Sequence, residues 1–219
     1  MIVNIKKPKG LTSHDVVDRV RDITGERKVG HAGTLDPFAT GVLVVAVGRE
    51  DTKKLGNITK NTEKEYAATL ELGKTSSTGD PEGAITPAKN LIALSYPHLN
   101  SVKGMLKGFV GEIEQVPPAY SAVKVKGVPS YKLARRGKAV ALLKRKVSIK
   151  EIELLEYHPP VLNIRVVCSS GTYIRTLAQD IGEKLGVGAY LTELERTRVG
   201  DYTIEQAVSL EELPAFLKG

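Results

Sequence analysis

The 219-residue sequence predicts an α+β fold, a mixed and mostly antiparallel central sheet flanked by helices. Two observations point there. Apolar stretches with strand periodicity alternate with stretches of helical periodicity, yet no strand–helix–strand unit repeats as it would in a parallel sheet. Several neighbouring strand candidates are joined by short Pro- or Gly-bearing turns, the pattern of hairpins. Hydrophobic residues make up 41% of the chain, enough for a core of domain size. With no internal repeat and no linker-like stretch, the expectation is one domain over residues 1–219.

The elements follow in order. Ile2–Ile5 reads as a short strand ended by the Pro8-Lys9-Gly10 turn. Ser13 is the expected N-cap of a helix carrying Val16, Val17, Val20 and Ile23 on one face and stopping at Gly25. Gly30–Gly41 is expected as a loop, leading into a buried strand at Val42–Val47. Lys64–Leu72 alternates as a half-buried strand, with Tyr66, Ala68, Leu70 and Leu72 on one side. The polar Gly73–Gly83 stretch reads as an irregular surface loop. Leu99–Phe109 has helical spacing, whereas two prolines keep Gln115–Ser121 out of any regular interior strand. A small helix is expected at Ser130–Arg136, and a hairpin from Val147–Tyr157 and Val161–Cys168. Tyr173–Leu185 reads as a helix with Leu177, Ile181 and Leu185 inward, Leu191–Thr203 as extended, and Leu210–Leu217 as a short helix.

Charge is unevenly placed. The net charge is +7, from 32 basic and 25 acidic residues. Ten of the basic residues fall in Lys124–Lys150, a segment without a single acidic residue. The remainder of the chain is therefore slightly acidic. A solvated face normally carries both signs, so a one-signed patch points to a polyanion, nucleic acid first. One cysteine, Cys168, allows no internal disulfide and suits a reducing compartment. The four histidines and the cysteine show no metal-ligand spacing. No signal-peptide pattern opens the chain and no apolar run reaches the length of a membrane span, so a cytoplasmic protein is expected.

Three sites could carry chemistry. Asp36 sits before Pro37 in a loop punctuated by Gly30, Gly33 and Gly41, with His31 nearby. Two readings are open: a carboxylate capping its own turn, or a catalytic group on a loop braced by a buried strand. Tyr66 at the start of its strand packs on the sheet or faces a ligand. Arg175, where Ser169-Ser170-Gly171 opens a helix, pairs on the helix surface or faces a site.

Taken together, the segments resemble the TruB-type tRNA pseudouridine synthases over nearly the whole chain. The resemblance is carried by Lys7-Pro8-Lys9-Gly10-Leu11-Thr12-Ser13, by Gly30-His31-Ala32-Gly33-Thr34-Leu35-Asp36-Pro37 with Ala39-Thr40-Gly41, by Lys64-Glu65-Tyr66, by Val116–Lys124, and by Gly171-Thr172-Tyr173-Ile174-Arg175. It implies isomerisation of a tRNA T-loop uridine, position 55, by breaking N1–C1′ and rejoining the base through C5. Asp36 takes the nucleophile role, Tyr66 stacks on the flipped uracil and helps remove the C5 proton, and Arg175 holds Asp36 charged. Attack at C6 and attack at C1′ both remain open. His31 inherits support of the opened RNA loop. By position in the motifs, Lys7 and Tyr173 are expected to touch RNA.

The resemblance further implies that Lys124–Lys146 is an insertion closing over the RNA, mobile without it, its charges unpaired within the protein. Lys124, Arg135, Arg136, Arg145 and Lys146 are its expected phosphate contacts. No cofactor or metal is expected, because the rearrangement is redox-neutral and has no second substrate. The expected partner is the T-arm of tRNA, met by a monomer with no obligatory protein partner and no membrane. The small C-terminal RNA-binding domain of typical bacterial members is expected to be absent. Two alternatives stand beside this reading: a non-catalytic tRNA-binding or folding module, and a guide-RNA-dependent synthase subunit.

Overall fold

The computed structural model describes residues 1–88, 96–137 and 140–218. In chain order the first elements are β1 (Ile2–Lys7), α1 (Ser13–Thr24), β2 (Val29–Ala32), β3 (Thr40–Val47), α2 (Arg49–Thr52), α3 (Leu55–Asn61), β4 (Lys64–Leu72), β5 (Lys74–Ser76) and β6 (Ile85–Pro87). Next come α4 (Leu99–Lys107), β7 (Gly111–Gln115), β8 (Lys124–Val125), β9 (Val128–Pro129), α5 (Ser130–Ala134), β10 (Arg145–His158) and β11 (Val161–Cys168). The chain closes with α6 (Ile174–Lys184), β12 (Ala189–Val199), β13 (Tyr202–Thr203), a 3-10 turn and α7 (Leu213–Phe216). The large sheet has the order β1-β3-β12-β4-β11-β10-β7, with β2 on β3 and β13 on β12. Its pairings include antiparallel β1–β3, β2–β3, β7–β10 and β12–β13, and parallel β3–β12. The α+β class and the mostly antiparallel sheet agree with the sequence expectation.

Two compact units divide the chain, a division that no composition shift in the sequence announces. The first comprises Met1–Ala67, Val167–Ser170 and Glu193–Gly219. At its centre β3 is buried along nearly its full length, so it reads as a continuous apolar run rather than an alternating one. Leu43, Val45 and Val47 pack with Val3, Ile5 and the Val16, Val17 and Val20 face of α1, while Val42 and Val44 pack with Ala32 and Val199 on the opposite side. Helix α1 is capped by Thr12, not by the expected Ser13. Thr12 accepts from the Asp15 N–H at 3.0 Å and the Asp15 carboxylate accepts from the Thr12 N–H at 2.8 Å, a closed capping box. Ser13 is thereby released for another role.

The second unit comprises Ala68–Val166 and Gly171–Thr192. Its core gathers Leu70, Leu72, Ile149, Leu162 and Ile164 from the strands with Leu177 and Ile181 of α6, all essentially inaccessible to solvent. Helix α6 thus buries the predicted face, although Leu185 is only half-buried. The Gly73–Gly83 stretch departs from the expected irregular surface loop. Lys74–Ser76 forms β5, paired with β6, and Asp80 is 2% exposed.

Candidate active site

The loop that carries Asp36 is shorter than its glycines suggest. Val29–Ala32 is already strand β2, paired with β3, and Thr40 and Gly41 already belong to β3. What remains is the arch from Gly33 to Ala39. At Gly41 the parallel register sets Arg196 directly opposite, and a Cβ there would run into the Arg196 backbone. Only glycine lets β12 come that close. Gly33, at φ +82°, turns the chain out of β2 in the left-handed region.

Each part of the arch is held by a buried polar side chain. Ser13 donates to the Leu35 carbonyl at 3.0 Å and accepts from the Leu35 N–H at 2.8 Å. Lys7 donates to the carbonyls of Pro8 (2.9 Å), Leu11 (2.6 Å) and Pro37 (3.3 Å), and the Gly10 N–H donates to Pro37 at 2.8 Å. Arg196, 1% exposed, donates to Val42 at 2.8 Å and to Gly33 at 2.9 Å. Asp36 is half-buried at the crest, and its carbonyl accepts from the Ala39 N–H at 3.1 Å. A group fixed this way keeps one position through a reaction. The expectation that Lys7 touches RNA is corrected here: it is fully buried, and its ammonium serves backbone carbonyls rather than a phosphate.

Tyr66 and Lys64 lie two residues apart on the buried face of β4, each 6% exposed. The Arg196 and Asp36 charges both act on the Tyr66 phenol, which places the three side chains in one neighbourhood. Burial pushes the Tyr66 phenol above its ordinary pKa, and the Arg196 guanidinium works in the opposite direction. Burial first, and then the Arg196 charge, pushes the His31 imidazole on β2 below its ordinary pKa. Its buried Nδ1 has no hydrogen-bond partner among the described residues.

Burial, and after it the Arg196 charge, lowers the Lys64 ammonium to about 8. A lysine in the unfolded chain keeps its proton to about pH 10.4. Between those values the unfolded state binds more protons, so this group makes stability rise with pH across that window. Lys64→Met is therefore expected to stabilise the protein at pH 7, by at most about 3 kcal/mol at 1.36 kcal/mol per tenfold change in proton affinity. Urea denaturation should show the gain shrinking toward pH 10.5. An equal gain at both pH values contradicts the assignment.

In the second unit Arg175 stands in the first turn of α6, 5% exposed. It pairs with the buried Asp80 at 3.2 Å and donates to the carbonyls of Tyr120 at 2.9 Å and Thr78 at 3.4 Å. Asp80 is itself oriented, accepting from the Thr78 hydroxyl at 2.5 Å and the Glu82 N–H at 3.0 Å. Tyr173, the residue before α6, is fixed through its backbone by Gln115, whose side chain accepts from the N–H at 3.0 Å and donates to the carbonyl at 3.3 Å.

Lys124, Arg135, Arg136, Arg145 and Lys146 are all exposed; Lys138 lies outside the described residues. The segment holds the β8–β9 hairpin and α5, with Arg135 over the Tyr131 ring at 5.6 Å. The expectation of unpaired charges does not hold throughout. Lys146 meets Glu112 at 2.7 Å and Lys144 meets Glu114 at 3.4 Å, because β10 runs beside β7. Such exposed pairs contribute only about 0–1 kcal/mol, so a phosphate can displace them cheaply.

Sequence reasoning did not single out Ser13, Lys64, Asp80 or Arg196 as parts of a site. Asp80 before Pro81 carried only a turn signal, and Arg196 stood in a charged stretch without a recognised spacing. The flanking residues of Lys64 and Ser13 within their motifs were the nearest signal.

Known proteins share these sequence segments and this fold. The model of the TruB family pseudouridylate synthase N-terminal domain matches residues 21–174, and that of the tRNA pseudouridylate synthase B C-terminal domain matches residues 175–218. Sequence and fold thus fall in the pseudouridylate synthase class. A tRNA pseudouridine synthase B of Desulfotalea psychrophila is 50% identical, over 94% of this chain and 84% of its own. One of Thermobifida fusca is 47% identical, over 98% and 74%. The chain belongs to the TruB family. Among solved structures, a chain of a Cbf5-Nop10-Gar1 complex is 32% identical with a TM-score of 0.76, covering 99% of this chain and 54% of that one. A chain of an H/ACA RNP bound to a substrate RNA containing 2'-deoxyuridine is 30% identical at 0.72, covering 99% and 53%. The chain spans about half the length of those two solved chains.

Proposed function

We propose that this chain isomerises uridine 55 in the T-loop of tRNA to pseudouridine, with Asp36 as the nucleophile. The observation that carries the reading is the Asp36 arch, a loop whose backbone is held by the buried side chains of Ser13, Lys7 and Arg196, with Tyr66 in the same neighbourhood. A carboxylate nucleophile divides one hard rearrangement into easier steps. The N1–C1′ bond breaks, C5–C1′ forms, C5 loses its proton and N1 gains one. The target base must leave its stack to reach Asp36, at a cost of a few kcal/mol. Tyr66 offers a ring for that base to stack on, and the unpartnered Nδ1 of His31 suits support of the opened loop. Arg175 is oriented by Asp80 within the second unit. No cofactor is called for, and the protein works as a cytoplasmic monomer without guide RNA or accessory protein.

The test is to incubate transcribed tRNA with the protein alone and map pseudouridine. Modification at position 55 is expected without guide RNA. Tight tRNA binding with no pseudouridine would leave a binding module instead. Activity only on adding a guide RNA would overturn the stand-alone reading.

The basic segment, residues 124–146, supplies phosphate contacts in this reading and orders on RNA. Reversing Arg135, Arg136, Arg145 and Lys146 to Glu should weaken tRNA binding steeply. The slope of log affinity against log salt should flatten by about 0.7–0.9 for each phosphate that the variant leaves without its cation. Unchanged affinity across a salt titration contradicts the role.

A further inference from the structure

We propose that Ser13 is a positioning residue of the reaction: its hydroxyl clasps both backbone groups of Leu35 and so sets the direction in which the Asp36 side chain leaves the arch. The inference rests on the functional reading above. Residues 33–39 lie between β2 and β3, outside the strand ladders, so their buried backbone groups need partners from elsewhere. At Leu35, 3% exposed, one side chain supplies both. The Ser13 hydroxyl accepts from the Leu35 N–H at 2.8 Å and donates to the Leu35 carbonyl at 3.0 Å, using its donor and its acceptor on the same residue.

The place of that carbonyl argues for more than packing. A peptide unit is planar from one Cα to the next. The unit that begins at the Leu35 Cα ends at the Asp36 Cα, so the Ser13 bond to the Leu35 carbonyl fixes the plane that enters Asp36. The plane that leaves Asp36 carries the Asp36 carbonyl, which the Ala39 N–H holds at 3.1 Å. With both planes fixed, φ and ψ of Asp36 are fixed, and with them the direction of its Cα–Cβ bond. Lys7 acts one peptide unit further on, at the Pro37 carbonyl. Ser13 is itself firmly held, 2% exposed and opening α1 directly after the closed Thr12–Asp15 capping box. That helix packs through Val16, Val17 and Val20 on β3, the strand into which the arch runs. The hydroxyl thus ties the nucleophile to the helix–strand core of its own unit.

The test compares Ser13→Ala with Val20→Ala by single-turnover pseudouridine formation on saturating tRNA, with tRNA affinity and melting temperature measured alongside. Val20 lies in the core on the same helix, about two turns from Ser13. Both variants are expected to lower the melting temperature, one by stranding the Leu35 N–H and carbonyl, the other by opening a cavity. Ser13→Ala should in addition slow turnover about 10- to 100-fold, the cost of a misplaced reacting group, with tRNA affinity within about twofold of wild type. Val20→Ala should keep the wild-type rate at a temperature where both variants are folded. An unchanged rate in Ser13→Ala, or equal slowing in the two variants, overturns the proposal. Should Ser13→Ala not fold, Ser13→Cys puts a weak S–H donor in place of the hydroxyl, and the same comparison applies. A wild type that binds tRNA but makes no pseudouridine fails the functional reading itself, an outcome distinct from a wild type and a Ser13 variant that are equally active.

Discussion

Asp36→Asn is expected to abolish pseudouridine formation while leaving the fold and tRNA binding intact. Every hydrogen bond described for the arch from Ser13, Lys7, Gly10 and Arg196 lands on a backbone group, at Gly33, Leu35 or Pro37. The Ala39 N–H likewise meets the Asp36 main-chain carbonyl, not its carboxylate. Asparagine is of nearly equal size, and those backbone bonds that hold the arch do not depend on the charge of residue 36. What it lacks is the anion that attacks. The loss should exceed about 10⁴-fold, on the order of 5 kcal/mol in barrier. Single-turnover assays, with filter binding as a control for affinity, decide the matter. Activity above a tenth of wild type would remove Asp36 from the nucleophile role.

The second large effect is on stability. Asp80→Ala should cost about 3–5 kcal/mol, because it breaks the buried Arg175–Asp80 pair by removing one partner. The two side chains are 5% and 2% exposed and 3.2 Å apart, so bulk solvent screens the pair little. The carbonyls of Thr78 and Tyr120 still accept from Arg175, but they carry no full charge. Urea denaturation measures the loss directly. Removing both charges together, as Asp80→Leu with Arg175→Met, should recover most of the stability and none of the activity. If the double variant is as unstable as Asp80→Ala, the damage lies in packing rather than in the stranded charge.

Much of this molecule is legible from local sequence. The alternation in Lys64–Leu72 predicted β4 to the residue, because a half-buried strand writes its two faces into successive positions. The apolar run Val42–Val47 announced a strand buried on both sides. Asp36, Tyr66 and Arg175 were picked out because residue type and motif context concentrate in short windows. The errors share one cause. Ser13 looked like a cap since its neighbours are helical, yet the loop it bonds, at Leu35, is 22 residues on. Lys7 looked like a surface cation since nothing local shows that carbonyls as distant as Pro37 converge on it. Gly73–Gly83 looked like a polar loop since the partner of Asp80 lies 95 residues away, in α6.

The sequence by itself determined the fold class, the longer elements, the basic segment and the place of Asp36 in a turn ahead of β3. Each of these depends on periodicity, turn chemistry or charge counted over neighbouring residues. Only the tertiary structure decided which polar side chains are buried and whom they serve. Arg196 reaches Val42 across 154 positions and Gly33 across 163, so no window of sequence contains both donor and acceptor. Burial makes each such group costly unless its partners are in place, and that condition is met only when the strands have assembled.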